Sequence, residues 1–417
     1  MILQYILFIF IIIFIIIWGT IKIKYPFWNN QPVFHTYDYL RSFYKQPFIV
    51  QLNGPFQTKY IDHNLVQTKC IDENQMPQIK EMAKLLQENY ISGEHVDYMI
   101  QPNDIYTLHT GQNAASFLSI YVVPEYTINN NSKNTSTPEI IKTTNVLGCI
   151  TSRSLQMFVR PTKTEQIYSQ IPIYFIDYLC IHREQDYKKL SRTLLQTHEY
   201  NQRMYNKNIE CSLIKKEGEQ FAGIRPLISY TAYIYNIPKK KVIRLKHEYN
   251  VRLLTVSTMD KFIDFFTINT YNEQKTGMFD IMVLPDIGNL TVQVKEKQLY
   301  IGCLYHEQDM LGFYFFKDVK QYNDNFEAKT LSLISSVQNC MDGRLFYIGF
   351  IHVLRNIIHI NADYKVLTIE NISHNKTIIN NFNQETTPSQ SINMAYYSYN
   401  YVYPCSPIDA VKSFIVL

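Results

Sequence analysis

A chain of 417 residues that is 46% hydrophobic and 18% charged carries enough apolar volume for two domains, or for one large domain built from a repeated unit. Its 40 basic and 36 acidic residues leave a net charge of +4, too dilute over 49.3 kDa to form a nucleic-acid footprint. Only 13 glycines occur, with no G-x-G-x-x-G, Walker loop or G-x-S-x-G elbow, so dinucleotide folds, P-loop enzymes and elbow-type serine hydrolases have no sequence support.

The first 21 residues differ from the rest. From Ile2 to Ile21 only Gln4, Gly19 and Thr20 interrupt an aliphatic and aromatic run, long enough as a helix to cross the ~30 Å hydrocarbon core of a bilayer. No charge precedes the run, and Trp18, Lys22 and Lys24 close it as an interfacial anchor would, which predicts a retained single span over 1–21 rather than a cleaved signal. Lys22, Lys24 and Lys45 follow it, placing the remainder on the cytosolic side. Sequons at Asn130, Asn134, Asn289, Asn371 and Asn375 point weakly the other way, at a frequency expected by chance in so Asn-rich a chain.

Beyond the span the pattern predicts a helix over 77–88, with Pro77 in the first turn and Ile79, Met82, Leu85 and Leu86 on one face. Strands are expected at 117–123, 146–151, 154–159 and 171–181, with a polar surface loop at 126–144. A helix at 188–204 and another at 259–266 follow. Later strands are predicted at 299–304, 311–316, 346–350, 366–369, 394–403 and 414–417, with a second surface loop at 384–391. Both halves mix helices with short, largely antiparallel strands. The class is therefore α/β (α+β), with two copies of one unit split near 239–241.

The seven cysteines are odd in number, scattered and without a C-x-x-C pair, so reduced thiols are expected rather than a disulfide framework or a zinc site. His352 and His359 lack a third ligand, and no metal site is expected. The basic cluster Lys239–Lys241 with Arg244 and Lys246 reads as a solvated face.

Tyr25-Pro26-Phe27-Trp28-Asn29-Asn30-Gln31-Pro32-Val33 resembles a motif of the eukaryotic N-myristoyltransferases, F-W-x-T-Q-P-V. Leu85-Leu86-Gln87-Glu88-Asn89-Tyr90-Ile91 is similar to that family's L-L-x-x-N-Y-V, and Ile176-Asp177-Tyr178-Leu179-Cys180-Ile181-His182 to its I-N-F-L-C-V-H. Tyr230-Thr231-Ala232, Asn361-Ala362, Asn375-Lys376-Thr377 and Tyr396-Tyr397-Ser398-Tyr399-Asn400-Tyr401 resemble Y-T-A, F-N-A-L, E-N-K-T and Y-Y-L-Y-N-W in the family's order. The resemblance covers roughly residues 24–417.

It implies two tandem acetyltransferase-like (GNAT) halves, 22–240 for acyl-CoA and 241–417 for peptide, behind the anchor. It also implies a monomeric glycylpeptide N-tetradecanoyltransferase, which moves a myristoyl group from myristoyl-CoA, a co-substrate rather than a resident cofactor, to a protein's N-terminal glycine. Carried over by motif, Tyr25, Phe27, Trp28, Cys180 and Ile181 would line the acyl-CoA. Lys188 and Lys189, at a helix start, would meet its phosphates. The amides of Tyr178 and Leu179 would form an oxyanion hole. Tyr90, Tyr98, Asp177 and His247 would contact the peptide, Thr231 its amine, and the carboxylate of Leu417 would be the general base.

The departures lie at the site. Arg183-Glu184-Gln185-Asp186-Tyr187 replaces a basic run, and Ser92-Gly93-Glu94-His95 replaces an acidic patch. Tyr98-Met99-Ile100 lacks the arginine of F-R-F, Arg244-Leu245-Lys246-His247-Glu248 lacks the aromatics of R-Y-W-H-R, and Phe382–Thr387 lacks a glycine-rich segment. Asp177 stands in place of asparagine. A membrane-anchored binding protein that keeps this fold without its chemistry is thus the alternative. The Ile-, Asn-, Tyr- and Lys-rich usage fits an AT-rich genome, of a large DNA virus or a protist.

Overall fold

The computed structural model describes residues 2–91, 96–129, 139–160, 168–238, 244–271, 278–323 and 327–417. Helix α1 (Ile2–Lys24) carries exposed apolar side chains from Tyr5 to Trp18, none of them buried against the other described residues, and it is long and apolar enough to cross a membrane. After a short strand β1 (Phe48–Ile49) come β2 (Val66–Cys70), α2 (Met76–Asn89), β3 (Val96–Tyr98), α3 (Pro102–His109), β4 (Phe117–Asn129), β5 (Glu139–Val159), β6 (Ser169–Ile181), α4 (Tyr187–Tyr205), β7 (Cys211–Glu217) and β8 (Ile228–Asn236). The series then repeats: β9 (Tyr249–Leu253), α5 (Asp260–Tyr271), β10 (Ile281–Pro285), α6 (Ile287–Lys295), β11 (Leu299–His306), β12 (Asp309–Asn323), β13 (Ala328–Gln338), α7 (Gly343–Ile360), β14 (Tyr364–Glu370), α8 (Asn375–Phe382) and β15 (Gln390–Tyr399). β16 (Tyr401–Val402) and β17 (Ser413–Ile415) end the chain.

Pairing makes the repetition a spatial one. The meander β4–β5–β6 is followed by the crossover helix α4 and the parallel strand β7; the meander β11–β12–β13 is followed by α7 and the parallel strand β14. The two series also exchange strands. β3 of the first pairs with β12 of the second, and β10 of the second pairs with β5 of the first. At the centre β15 lies between β7 and β8, while β8 pairs with β14. One continuous, mostly antiparallel sheet of 15 strands results, a mixed α/β architecture of two successive, similarly ordered units.

The parallel pairs β6–β7 and β13–β14 are both forks. β6 and β7 stay in register from Ile173↔Cys211 to Ile176↔Ile214 and then part; β13 and β14 part after Leu333↔Ile369. Parting strands leave backbone groups that need other partners. At the second fork the structure supplies them. The Asn375 side-chain amide, fully buried, donates to Leu333 O at 3.3 Å and Glu370 O at 2.8 Å, and Ser373 Oγ accepts from Ser336 N at 3.0 Å. This is the role of the E-N-K-T-like motif: its asparagine ties the second fork together.

Several predicted elements change. The run 346–350 is not a strand but lies in α7, because Asp342 caps the helix by accepting from Arg344 N and Leu345 N, and Phe346, Phe350, Val353, Leu354 and Ile357 share its buried face. The runs 146–151 and 154–159 form one strand, β5, and much of the predicted loop 126–144 belongs to β4 and β5. The boundary 239–241, the segment 92–95 and the sequons at Asn130 and Asn134 lie outside the described residues. Asn289 and Asn375 are fully buried, so neither sequon is open to a glycan in the folded chain.

Candidate active site at the first fork

Where β6 leaves β7 it also slips against β5. Cys149 pairs with Cys180 and Thr151 with Asp177, so Tyr178 and Leu179 together oppose Ile150 alone. Such a bulge needs one residue in a special conformation, and Tyr178 takes it, with φ of 53° in the left-handed region. The Tyr178 ring is buried against Tyr98, Cys149 and Cys180, with Tyr90 at 6.0 Å and His109 at 6.4 Å. Tyr90 in turn meets Tyr98 at 5.0 Å. Burial pushes the Tyr178 hydroxyl well above its ordinary pKa and the His109 imidazole down to about 4. The Tyr178 N–H donates to Asp177 Oδ1 at 2.8 Å.

The aromatic N-terminal motif covers the fork. Phe27 is buried with Ile176, Ile181, Leu190, Leu194 and Ile214, and Trp28 and Leu179 pack on the same cluster. Trp28 meets Phe221 at 4.9 Å, and Phe221 meets Tyr397 at 4.9 Å. Tyr25 is pressed on Gly223 so closely that a β-carbon there would come within 2.8 Å of the ring. Cys180 is buried on the other side of β6, its thiol 3.9 Å from Leu85 O. Asn89, from the N-Y segment, accepts the Arg183 N–H at 3.0 Å and fixes the chain as it leaves β6.

Lys188 and Lys189 are exposed in the first turn of α4, as expected, but Asp186 is that helix's N-cap. Its Oδ1 accepts the Lys189 N–H at 3.1 Å. A helix start attracts anions through free N–H groups and its dipole. Here part of that attraction is already satisfied by a carboxylate of the chain itself.

A second group of residues faces the fork from the central strands. The register sets Lys215 opposite Tyr396, Tyr230 opposite Met394 and Ala232 opposite Glu370, all on one face of the sheet. Glu370 is the hub: Lys215 Nζ lies 2.9 Å from its Oε1, and Tyr230 donates to its Oε2 at 2.5 Å. Burial alone would lower the Lys215 pKa, but Glu370 and Tyr396 raise it instead. Lys317 of β12 feels both groups; burial, then Arg153, lowers its pKa to about 8, opposed by Asp177 and Glu370. Leu417 is buried in the core that contains Tyr230, Tyr396, Phe175 and Leu155, and Val416 N donates to Val283 O at 2.9 Å.

Two expected site residues lie apart. Thr231 follows Tyr230 on β8, and alternation turns its side chain to the opposite face, away from Tyr230, Glu370 and the core that holds Leu417. His247 is exposed ahead of β9, an edge strand on the far side of β11. Arg153, Lys215, Lys317 and Glu370 carry no motif in the sequence, and only register and burial reveal them.

No protein-family model matches the chain, and neither does any curated protein. Solved structures do. Saccharomyces cerevisiae N-myristoyltransferase with bound myristoyl-CoA superposes with a TM-score of 0.66 at 12% identity, over 94% of this chain and 94% of that one. A second structure of the yeast enzyme with myristoyl-CoA gives the same score over 94% of this chain and 99% of that one, and a third, with myristoyl-CoA and inhibitors, agrees. Identity this low speaks for architecture alone: the chain has the fold of the N-myristoyltransferases.

Proposed function

We propose that this chain is an acyltransferase of the N-myristoyltransferase type, moving a myristoyl group from myristoyl-CoA to the N-terminal glycine of a protein. The observation that carries the proposal is the left-handed bulge at Tyr178, set where β6 and β7 part and covered by Phe27 and Trp28. A thioester laid in the fork would direct its carbonyl oxygen at the Tyr178 and Leu179 amides, preorganised donors of the kind that stabilise a tetrahedral intermediate. Tyr25, Phe27, Trp28, Cys180 and Ile181 would surround the acyl-CoA, with Lys188 and Lys189 toward its phosphates. Tyr90 and Tyr98, both near Tyr178, would border the incoming peptide.

The acceptor amine must lose a proton before it attacks. In water an α-amino group near pKa ~8 gives its proton to a carboxylate near ~3.5 only at a cost of roughly 6 kcal/mol. Burial narrows that gap from both sides. The Leu417 carboxylate, carried on a buried terminal tetrapeptide, is assigned as the base. The freed amine attacks the carbonyl carbon, the C–N bond forms, the C–S bond breaks and CoA thiolate leaves. A side chain on the acceptor's first residue would crowd this approach, hence glycine. In the same proposal residues 22–240 serve acyl-CoA and 241–417 the peptide, with α1 spanning a membrane from the cytosolic side.

The test is transfer of an alkyne-tagged myristoyl group from its CoA thioester to a glycine-starting peptide by the full chain in detergent. A hydroxylamine-resistant amide product is expected, lost when the peptide starts with alanine. Deleting Leu417 or appending one alanine should abolish it. Absence of both product and saturable acyl-CoA binding would overturn the proposal.

A further inference from the structure

The donor that the proposed reaction needs is already engaged. Asp177 Oδ1 accepts the Tyr178 N–H at 2.8 Å, and an N–H has one proton to give. A carboxylate oxygen is a stronger acceptor than a neutral thioester carbonyl, because charge-assisted hydrogen bonds are roughly twice as strong as neutral ones. A thioester brought to the bulge therefore meets a competitor built into the preceding residue.

The structure also holds a place for that competitor to go. Thr151 pairs with Asp177 and Arg153 with Phe175, so Asp177 and Arg153 project from the same face of neighbouring strands, two residue pairs apart. Arg153 is 1% exposed and lies over the Phe175 ring at 5.6 Å. Its Nη1 reaches Asn289 Oδ1 at 3.5 Å, while its Nε and Nη2 have no hydrogen-bond partner among the described residues. A buried guanidinium with two idle donors is costly, and a carboxylate that reached them would relieve the cost. Among charged groups Asp177 acts on Arg153 most strongly.

Resting on the acyltransferase reading, we infer that Asp177 is a two-position cap on the acyl site. It occupies the Tyr178 N–H when the fork is empty and withdraws onto the free donors of Arg153 when a carbonyl takes its place. The exchange keeps the half-buried carboxylate hydrogen-bonded in both positions. Asp177 and Arg153 are then positioning residues, acting on the substrate through the Tyr178 amide. Asparagine at 177 would compete for the same N–H only as a neutral acceptor.

Two unreactive CoA derivatives separate this cap from a structural role: a 2-oxoalkyl thioether, which presents a carbonyl, and the alkyl thioether of equal length, which does not. The quantity read is the ratio of their affinities for the full chain in detergent. Asp177→Ala should raise the preference for the carbonyl compound by about tenfold, the size of one hydrogen bond gained without a competitor. Asp177→Asn should raise it by less. Arg153→Met should lower the preference in the wild-type background and leave it unchanged beside Asp177→Ala. Retained affinity for the carbonyl-free compound shows that each variant is folded. The inference fails if Asp177→Ala leaves the ratio unchanged, or if Arg153→Met lowers it equally in both backgrounds, although acyl-CoA still binds. Failure of the unaltered chain to bind either compound removes the acyltransferase reading and this inference with it.

Discussion

Lys215 and Glu370 are the first residues past the two forks, and their side chains meet at 2.9 Å. Each follows the last parallel pair of its own series, Ile176↔Ile214 in one and Leu333↔Ile369 in the other. The repeated architecture has thus placed opposite charges at equivalent positions, and the exchange of β8 and β15 at the centre of the sheet brings them together. The forks themselves differ. The second is filled by Ser373 and Asn375, whereas the first carries the bulge at Tyr178 under an aromatic cover.

Breaking that pair from one side should be expensive. Glu370→Ala leaves Lys215 without its carboxylate and the buried Tyr230 hydroxyl without its acceptor, and should cost about 3 kcal/mol in denaturant unfolding. Replacing both Lys215 and Glu370 by methionine should recover the part of the loss due to the stranded charge, leaving the part due to the Tyr230 hydroxyl. An additive loss in the double variant would contradict the coupling.

Lys317 should give a signature in pH. Its pKa in the folded chain, lowered to about 8 by burial and Arg153, lies below the ~10.4 of an unfolded lysine. Between these values the unfolded chain holds a proton that the native chain lacks, so this group makes stability rise with pH across that window. Below about 8 its penalty is constant and complete. Tyrosines with raised pKa values pull the other way there, so the comparison is with Lys317→Met, which should lose stability relative to wild type between pH 8 and 10.5. Parallel profiles for the two proteins would place Lys317 in solvent.

Asn375 should matter more than its small size indicates. Its amide satisfies two carbonyls of the parted strands inside the core, so Asn375→Ala should cost about 2–3 kcal/mol by orphaning both. Asn375→Asp should be at least as damaging, because a carboxylate facing two carbonyls has no proton to donate when ionised. Unfolding midpoints of the two variants check this.

Helix α1 should hold the chain in a membrane. The full chain is expected to stay in the pellet on carbonate extraction, and a chain lacking residues 2–24 to move to the supernatant, because the other described residues bury none of the apolar run. Protease added outside sealed vesicles should digest the remainder if it faces the cytosol, as Lys22, Lys24 and Lys45 imply. Release of the full chain by carbonate would count against a span.

What the sequence by itself determined was whatever is periodic or contiguous. Helices α2 and α4 were legible because each buries one 3.6-residue stripe, and α1 because a twenty-residue stretch that only Gln4, Gly19 and Thr20 interrupt leaves few alternatives. The motif around Tyr178 was legible as a short run in one strand. Run composition failed where a short aromatic and β-branched segment suits strand and helix equally: 346–350 became helical because Asp342 caps it and α7 lies on the sheet. Tertiary structure alone decided the chemistry around the fork. Arg153, Asp177, Lys215, Lys317 and Glu370 come from five different strands and share no spacing. Strand exchange and the slipped register at Ile150 bring them together, and the loss of water on burial with the neighbouring charges shifts the proton affinities of Arg153, Lys215 and Lys317. That Thr231 faces away while Tyr230 reaches Glu370 follows from the two-residue period of a strand whose register no local pattern specifies.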